Sequence, residues 1–224
     1  MARLVKFSEG EYYHIYQRGT EKRDLFLDEN DTGRFMRLLF LCNGTKRVET
    51  RNVFGTSVFL SRRGDTLCDI GAYCLMKNHF HMVVHEKTHL GISKFMQKLG
   101  TAYSMYFNEK YKRTGTLFEG RFKAKHLDTD EYLKYIFSYI HLNPVELIQP
   151  KWKERGIRNL SLVKKHLQQY KQSSYLDYTG FERAERAIID TNAFPRYFNN
   201  SMEFEYFLNS WLNYRGLTSV ETLY

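Results

Sequence analysis

At 224 residues, 42% hydrophobic and with its charges interspersed, the chain suffices for one good-sized domain, or a domain with an appendage, and wholesale disorder is excluded. Its 34 Lys and Arg outnumber 25 Asp and Glu, and the net charge of +9 points to a polyanionic partner, nucleic acid before an anionic membrane surface. No apolar run approaches the roughly 20 residues that cross a bilayer, so no membrane partner is expected and a cytoplasmic location is.

The start, MARLVKFSEG, lacks the apolar stretch of a signal peptide. EYYHIYQRG (11–19), rich in Tyr and Ile and stopped by Gly19, predicts a strand. DENDTGRFMRLLFLCNG has acidic and Asn residues before an apolar run and Gly44 after it, the start and stop marks of a helix. Residues 56–87 read as two or three strands, broken at RRGD and at the Lys77-Asn78 corner. From 91 to 112, Ile92, Phe95, Met96, Leu99, Tyr103 and Tyr106 recur at helical spacing while Lys94, Lys98 and Lys110 take other faces, a long amphipathic helix. RTGTLFEG is a loop and RFKAKHL (121–127) a short alternating strand. DTDEYLKYIFSYIHLNP opens with Asp128 and Glu131 at the spacing of a capping box and runs as a helix to Pro144.

This order predicts an α+β domain over residues 1–150, a ferredoxin-like antiparallel sheet with helices mainly on one face. Residues 151–224, with SLVKKHLQQY and FERAERAII, read as a mostly helical C-terminal extension. Cys42, Cys68 and Cys74 are odd in number and lack the close spacing of a zinc or redox pair, which suits a reducing compartment. The 17 Tyr and 17 Phe favour single-stranded over duplex nucleic acid, since unpaired bases stack on aromatic rings beside cations, although most such rings serve the core.

NHFHMVVHE (78–86) alternates histidines with apolar residues. On a strand, successive side chains point to opposite faces. Phe80, Met82 and Val84 then enter a core, while His79, His81 and His85 share the other face. Two imidazoles at i and i+2 reach one divalent ion together, but histidines on a half-exposed strand face are also common. A third ligand must come from elsewhere, Glu86 being the carboxylate nearby in sequence. In SYIHLNP (138–144), Tyr139 and Asn143 share a helix face. Asn143 offers an amide oxygen and Tyr139 a hydroxyl one turn away, although a tyrosine among Tyr132, Tyr135, Ile136 and Ile140 also suits plain packing. Pro144 ends or kinks the helix at Asn143, which then either aims its side chain outward or caps the helix. GRFKAKH sets Arg121, Lys123 and Lys125 at alternate positions, a stripe that suits phosphates and equally a charge-guarded edge strand. Arg18 and the pair Arg62-Arg63 are weaker DNA-binding candidates.

In that order, LMKNHFHMVVHE, GTLFEGRFKAK and EYLKYIFSYIHLNPVE resemble the REP-associated tyrosine transposases, a branch of the single-tyrosine HUH transposases in which two histidines flank one bulky hydrophobic residue. YYHIYQRGTEKRDLFLDENDTGRFMRLL is similar to that family's first strand and helix. So is YKQSSYLDYTG (170–180) to its later part, although a tryptophan is usual where Gln172 stands. The resemblance spans about residues 10–180; residues 181–224 match nothing of use.

The resemblance implies an enzyme that cleaves and rejoins DNA by transesterification. His79 and His81 would bind a divalent metal ion, Mg²⁺ or Mn²⁺, with Asn143 helping to hold it, and Tyr139 would be the nucleophile, forming a 5′-phosphotyrosine. Tyr135 competes for that role but has no amide four residues on. Two imidazoles and an amide would also suit Zn²⁺ or Ni²⁺, so Mg²⁺ or Mn²⁺ follows from the family. The implied partner is single-stranded or hairpin DNA, from repetitive extragenic palindromes, and the chain would work as a monomer or homodimer. Two other readings stand beside this one: a catalytically silent hairpin-DNA-binding regulatory module, and a replication or conjugation initiator, which usually carries a helicase or second tyrosine absent here.

Overall fold

The structure, a computed structural model, describes residues 5–49 and 54–213. The chain runs β1 (Tyr12–Arg18), α1 (Glu29–Cys42), β2 (Asp69–Met76), β3 (His79–His85), α2 (Gly91–Lys110), β4 (Lys123–His126) and α3 (Asp130–Leu142). Then come α4 (Trp152–Arg155), α5 (Leu160–Gln169), α6 (Tyr175–Tyr178) and α7 (Ser201–Asn213). The strands form one antiparallel sheet in the order β2-β3-β1-β4. This is the split βαβ arrangement expected from the element order.

Local chemistry sets the ends. Asp28 caps α1 by accepting from the Asp31 N–H at 2.9 Å. The cap of α3 is Thr129, whose hydroxyl accepts from Tyr132 N at 3.1 Å, one residue later than the Asp128 expected. Thr56–Leu60 is a 3₁₀ turn rather than a strand, so the 56–87 stretch yields two strands. Phe59 packs edge-on against Phe40 of α1 (5.6 Å), which makes the turn a lid on the core instead of an added sheet edge.

Both faces of the sheet carry apolar rows. Tyr13, Ile15, Tyr73, Leu75, Phe80, Met82 and Val84 face α1 and α2 through Phe35, Leu38, Leu39, Phe95 and Tyr103. On the other face Ala72, Cys74, Met76 and Val83 meet Leu133, Ile136, Phe137 and Ile140 of α3. The helices α1 and α2 therefore share one face, while α3 and the helices after it take the other, so helices cover both faces rather than mainly one. An apolar row on each side of a strand needs a cover on each side.

The segment after residue 150 shares this second core through Trp152, Val163, Leu167, Tyr175, Phe204 and Leu208, so the boundary expected at 150 separates no independent core; residues 214–224 lie outside those described. Residues 172–174 also pair with the outer edge of β2, Leu75 N donating to Gln172 O and Ser174 N to Tyr73 O (2.9 and 3.0 Å), which removes an exposed sheet edge. The three cysteines are buried free thiols. Among the described residues no helix is long and apolar enough to cross a membrane.

Arg183 locks this segment down. It holds buried Asp177 with two hydrogen bonds, of 2.8 and 2.6 Å, and donates to Ser173 O at 2.6 Å. Truncating it leaves a buried carboxylate without its countercharge. Arg183→Ala is therefore expected to cost about 3–5 kcal/mol and to lower the melting temperature by on the order of 10 °C. An unchanged thermal melt would show that the pair carries no such weight.

Candidate active site

Residues opposed across an antiparallel pair share a face. Between β1 and β3 the register sets Arg18 against His79 and Tyr16 against His81. Between β1 and β4 it sets Tyr16 against Lys123 and His14 against Lys125. Phe80 points the other way and packs on Phe35 at 4.9 Å in the first core, the division of labour expected from the alternation.

The His79 and His81 rings stand 4.9 Å apart. His79 Nδ1 donates to Asn78 Oδ1 at 2.7 Å. His81 Nδ1 bonds His14 Nε2 at 2.9 Å. With its Nδ1 donating, His79 carries its lone pair on Nε2, and His81 does the same in the tautomer whose Nδ1 donates to His14. Burial, helped by Arg18 and Lys153, pushes the His79 pKa down to about 4. Burial likewise drives His81 well below the ordinary histidine value, with His79, His14 and Lys153 adding to it. Both rings are therefore neutral at pH 7, the state a metal ligand requires.

α3 lies against this face. Its Tyr139 ring meets His81 edge-on at 5.5 Å and His14 at 6.1 Å. The helix ends at Leu142, and Asn143 opens a 3₁₀ turn to Leu147 with Pro144 in its first turn, as the proline demands. Asn143 is buried, and its Nδ2 has no hydrogen-bond partner. A half-turn of the amide puts Oδ1 in that place, an oxygen suited to a cation. Among the described residues no three His, Cys, Asp or Glu side chains could hold a metal ion together. The donors present, two neutral imidazoles and one amide, are nevertheless of the types that would hold a divalent ion.

His79, His81, Tyr139 and Asn143 line one cleft of about 420 Å³ with Tyr16 and Lys153. Arg18, Arg121 and Lys123 also line it. Lys125 does not: it stands half-buried beside His14, farther along the sheet, and Arg121 precedes β4 rather than sharing its stripe. Arg18 is paired with Glu119 at 2.8 Å, which tempers its availability to a phosphate. Tyr135 lies outside the cleft lining, its ring 6.3 Å from that of Tyr139. His85 bonds Asp69 at 3.0 Å, and Glu86 accepts from Ile92 N at 2.7 Å at the start of α2. Arg63 is spent on Phe40, whose ring it covers at 4.1 Å.

Three cleft or cleft-side residues escaped the sequence reading. His14 and Tyr16 alternate with Arg18 in YYHIYQR, so the rule that sorts His79 from Phe80 could have found them. Lys153 carries no such signal, since it stands on a short helix outside any periodic run.

His141, one turn beyond Phe137, is wholly buried; its Nδ1 donates to Phe137 O and its Nε2 accepts from Ser174 Oγ at 2.8 Å. Burial pushes its pKa down to about 3. Unfolded, it takes up a proton near pH ~6.5; folded, it stays neutral. The stability it contributes is complete above about pH 6.5 and is lost progressively as the pH falls toward 3. Thermal melts from pH 8 to 4 are expected to decline below about pH 6.5, and less steeply in His141→Gln; identical slopes would contradict this.

Fold and cleft together define an α+β protein with a cleft lined by His79, His81, Tyr139 and Asn143. Residues 55–143 match the family model described as "Transposase IS200 like", the segment that holds both histidines, Tyr139 and Asn143, and the resemblance drawn from the motifs holds over that segment. A solved structure described as "Structure of the REP associates tyrosine transposase bound to a REP hairpin" shares the fold, with a TM-score of 0.52 at 12% identity over 89% of this chain and 100% of that one. No curated protein matches the chain.

Proposed function

We propose that this chain is a transposase of the single-tyrosine kind, a metal-dependent endonuclease and strand-transferase acting on single-stranded DNA at hairpins. The observation that carries this reading is the convergence of His79 and His81 from β3 with Tyr139 and Asn143 from the end of α3 on one cleft. The family match over 55–143 supports the transposase class, and a structural relative bound to a REP hairpin supports hairpin DNA, from repetitive extragenic palindromes, as the partner.

Tyr139 supplies the nucleophile. Its oxygen bonds to phosphorus as the bond from phosphorus to the 3′ oxygen breaks. The phenolic proton leaves and the departing 3′ oxygen gains one, giving a 5′-phosphotyrosine and a 3′-OH. Rejoining is the reverse step and needs no nucleoside triphosphate, because the phosphodiester energy is kept in the tyrosine ester. A free phenol, with a pKa near ~10, is a weak nucleophile at neutral pH. His79, His81 and Asn143 would hold the divalent ion, Mg²⁺ or Mn²⁺, which when bound withdraws charge from the phosphate and stabilises the leaving oxygen. His14 fixes the His81 ring through its Nδ1, the support a ligating histidine needs. Arg121 and Lys123, with Arg18, contact backbone phosphates at the cleft.

The expected working form is a monomer or a homodimer. The cytoplasm, where chromosomal repeats lie, is the expected setting. The test is a covalent-adduct assay: labelled hairpin DNA and Mn²⁺, with and without EDTA, resolved on a denaturing gel. A band that survives SDS and vanishes with EDTA is expected. Hairpins bound but never attached would replace this reading with that of a silent binding module.

A further inference from the structure

We propose that Lys153 is an active-site cation that grips the phosphate attacked by Tyr139 and holds the Tyr139 ring in the attacking position. The inference rests on the reading above and assigns a role to the segment after residue 150. Lys153 Nζ stands 4.1 Å from the centre of the Tyr139 ring, within the range of a cation–π contact. It lines the same cleft as His79, His81 and Asn143. The ammonium thus lies over the nucleophile's ring in the cleft that the histidine pair also lines.

The carrier of Lys153 is rigid. Its neighbour Trp152 is 3% exposed in the second core. Lys151, in left-handed backbone with φ 64°, donates its N–H to Glu146 Oε1 at 2.8 Å. Gly156, with φ 76°, ends the turn, a conformation glycine adopts without steric cost. A lysine on a loose loop would have no reason to lie over one ring. Here the anchoring of α4 fixes where Lys153 points.

A phosphodiester entering between Tyr139 and the histidine pair brings one negative charge and gathers more on its oxygens as the new bond forms. A fixed ammonium beside those oxygens favours that state over the ground state. Lys153 gives up no proton in the step; the bonds made and broken remain those of phosphorus to the Tyr139 oxygen and to the 3′ oxygen.

The test compares full-length wild type, Lys153→Ala, Lys153→Met and Lys153→Arg for adduct formation at saturating hairpin with Mn²⁺, and for hairpin affinity. Lys153→Ala and Lys153→Met are expected to slow attachment at saturation about 10²-fold, with affinity changed less than about threefold and Lys153→Arg recovering part of the rate. Lys153→Met keeps an aliphatic stem over the ring, so it carries the comparison should the alanine variant melt early. Wild-type rates in both uncharged variants, or a loss seen only in affinity, would overturn the role of Lys153. A wild type that forms no adduct would overturn the nuclease reading itself, and this inference with it.

Discussion

Tyr139→Phe is expected to abolish covalent attachment to hairpin DNA, a loss of roughly 10⁴-fold or more, while hairpin affinity changes less than about threefold. The substitution removes one oxygen and keeps the ring, so the packing against His81 (5.5 Å) and under Lys153 (4.1 Å) persists. The thermal melt should accordingly match that of the wild type. Tyr135→Phe is the control. That ring touches Tyr139 and Trp211 but does not line the cleft, so its loss of a hydroxyl should leave attachment intact. If Tyr135→Phe stops attachment and Tyr139→Phe does not, the nucleophile has been assigned to the wrong turn of α3.

His81→Ala should lower Mn²⁺-dependent attachment about 10²- to 10³-fold, and EDTA should do the same to the wild type. His14→Ala should weaken Mn²⁺ binding by roughly tenfold or more, because it removes the group that holds the His81 ring without removing a ligand. Calorimetric titration reads this without reference to activity. Its pH dependence is a second check. With the His79 pKa pushed down to about 4 and that of His81 lower still than usual, no proton has to be displaced, so affinity should stay flat from pH 8 to about 5. Affinity falling tenfold per unit below about pH 6.5 would instead describe exposed imidazoles.

Much of the site was legible because it rests on local periods. NHFHMVVHE sorts its residues onto two faces by the geometry of a single strand. The step from Tyr139 to Asn143 is one helical turn. The same logic failed where composition is degenerate. SVFLS has the β-branched and aromatic content of a strand, yet Phe59 finds a better surface on Phe40 than any sheet edge could offer. The α3 cap moved by one residue because Thr129 and Asp128 are both good capping types, and only the backbone path decides which hydroxyl or carboxyl meets an N–H. Alternation groups Lys125 with Arg121 and Lys123, but β4 begins at Lys123 and the cleft lies at that end of the strand, away from Lys125.

By itself the sequence determined the order of elements, the two faces of β3 and the pairing of a tyrosine with an amide at the end of a helix, because each of these is set by neighbours within one strand or turn. The tertiary structure alone decided the rest. Strand register put Arg18 beside His79 and Tyr16 against His81, and brought the His14 ring within bonding distance of the His81 ring. The apolar second face of the sheet drew α3 down onto it, bringing Tyr139 to the histidines. Burial of Trp152 in that same core carried Lys153 over the tyrosine ring. These are contacts between residues far apart along the chain, and they form only when both faces of the sheet are covered.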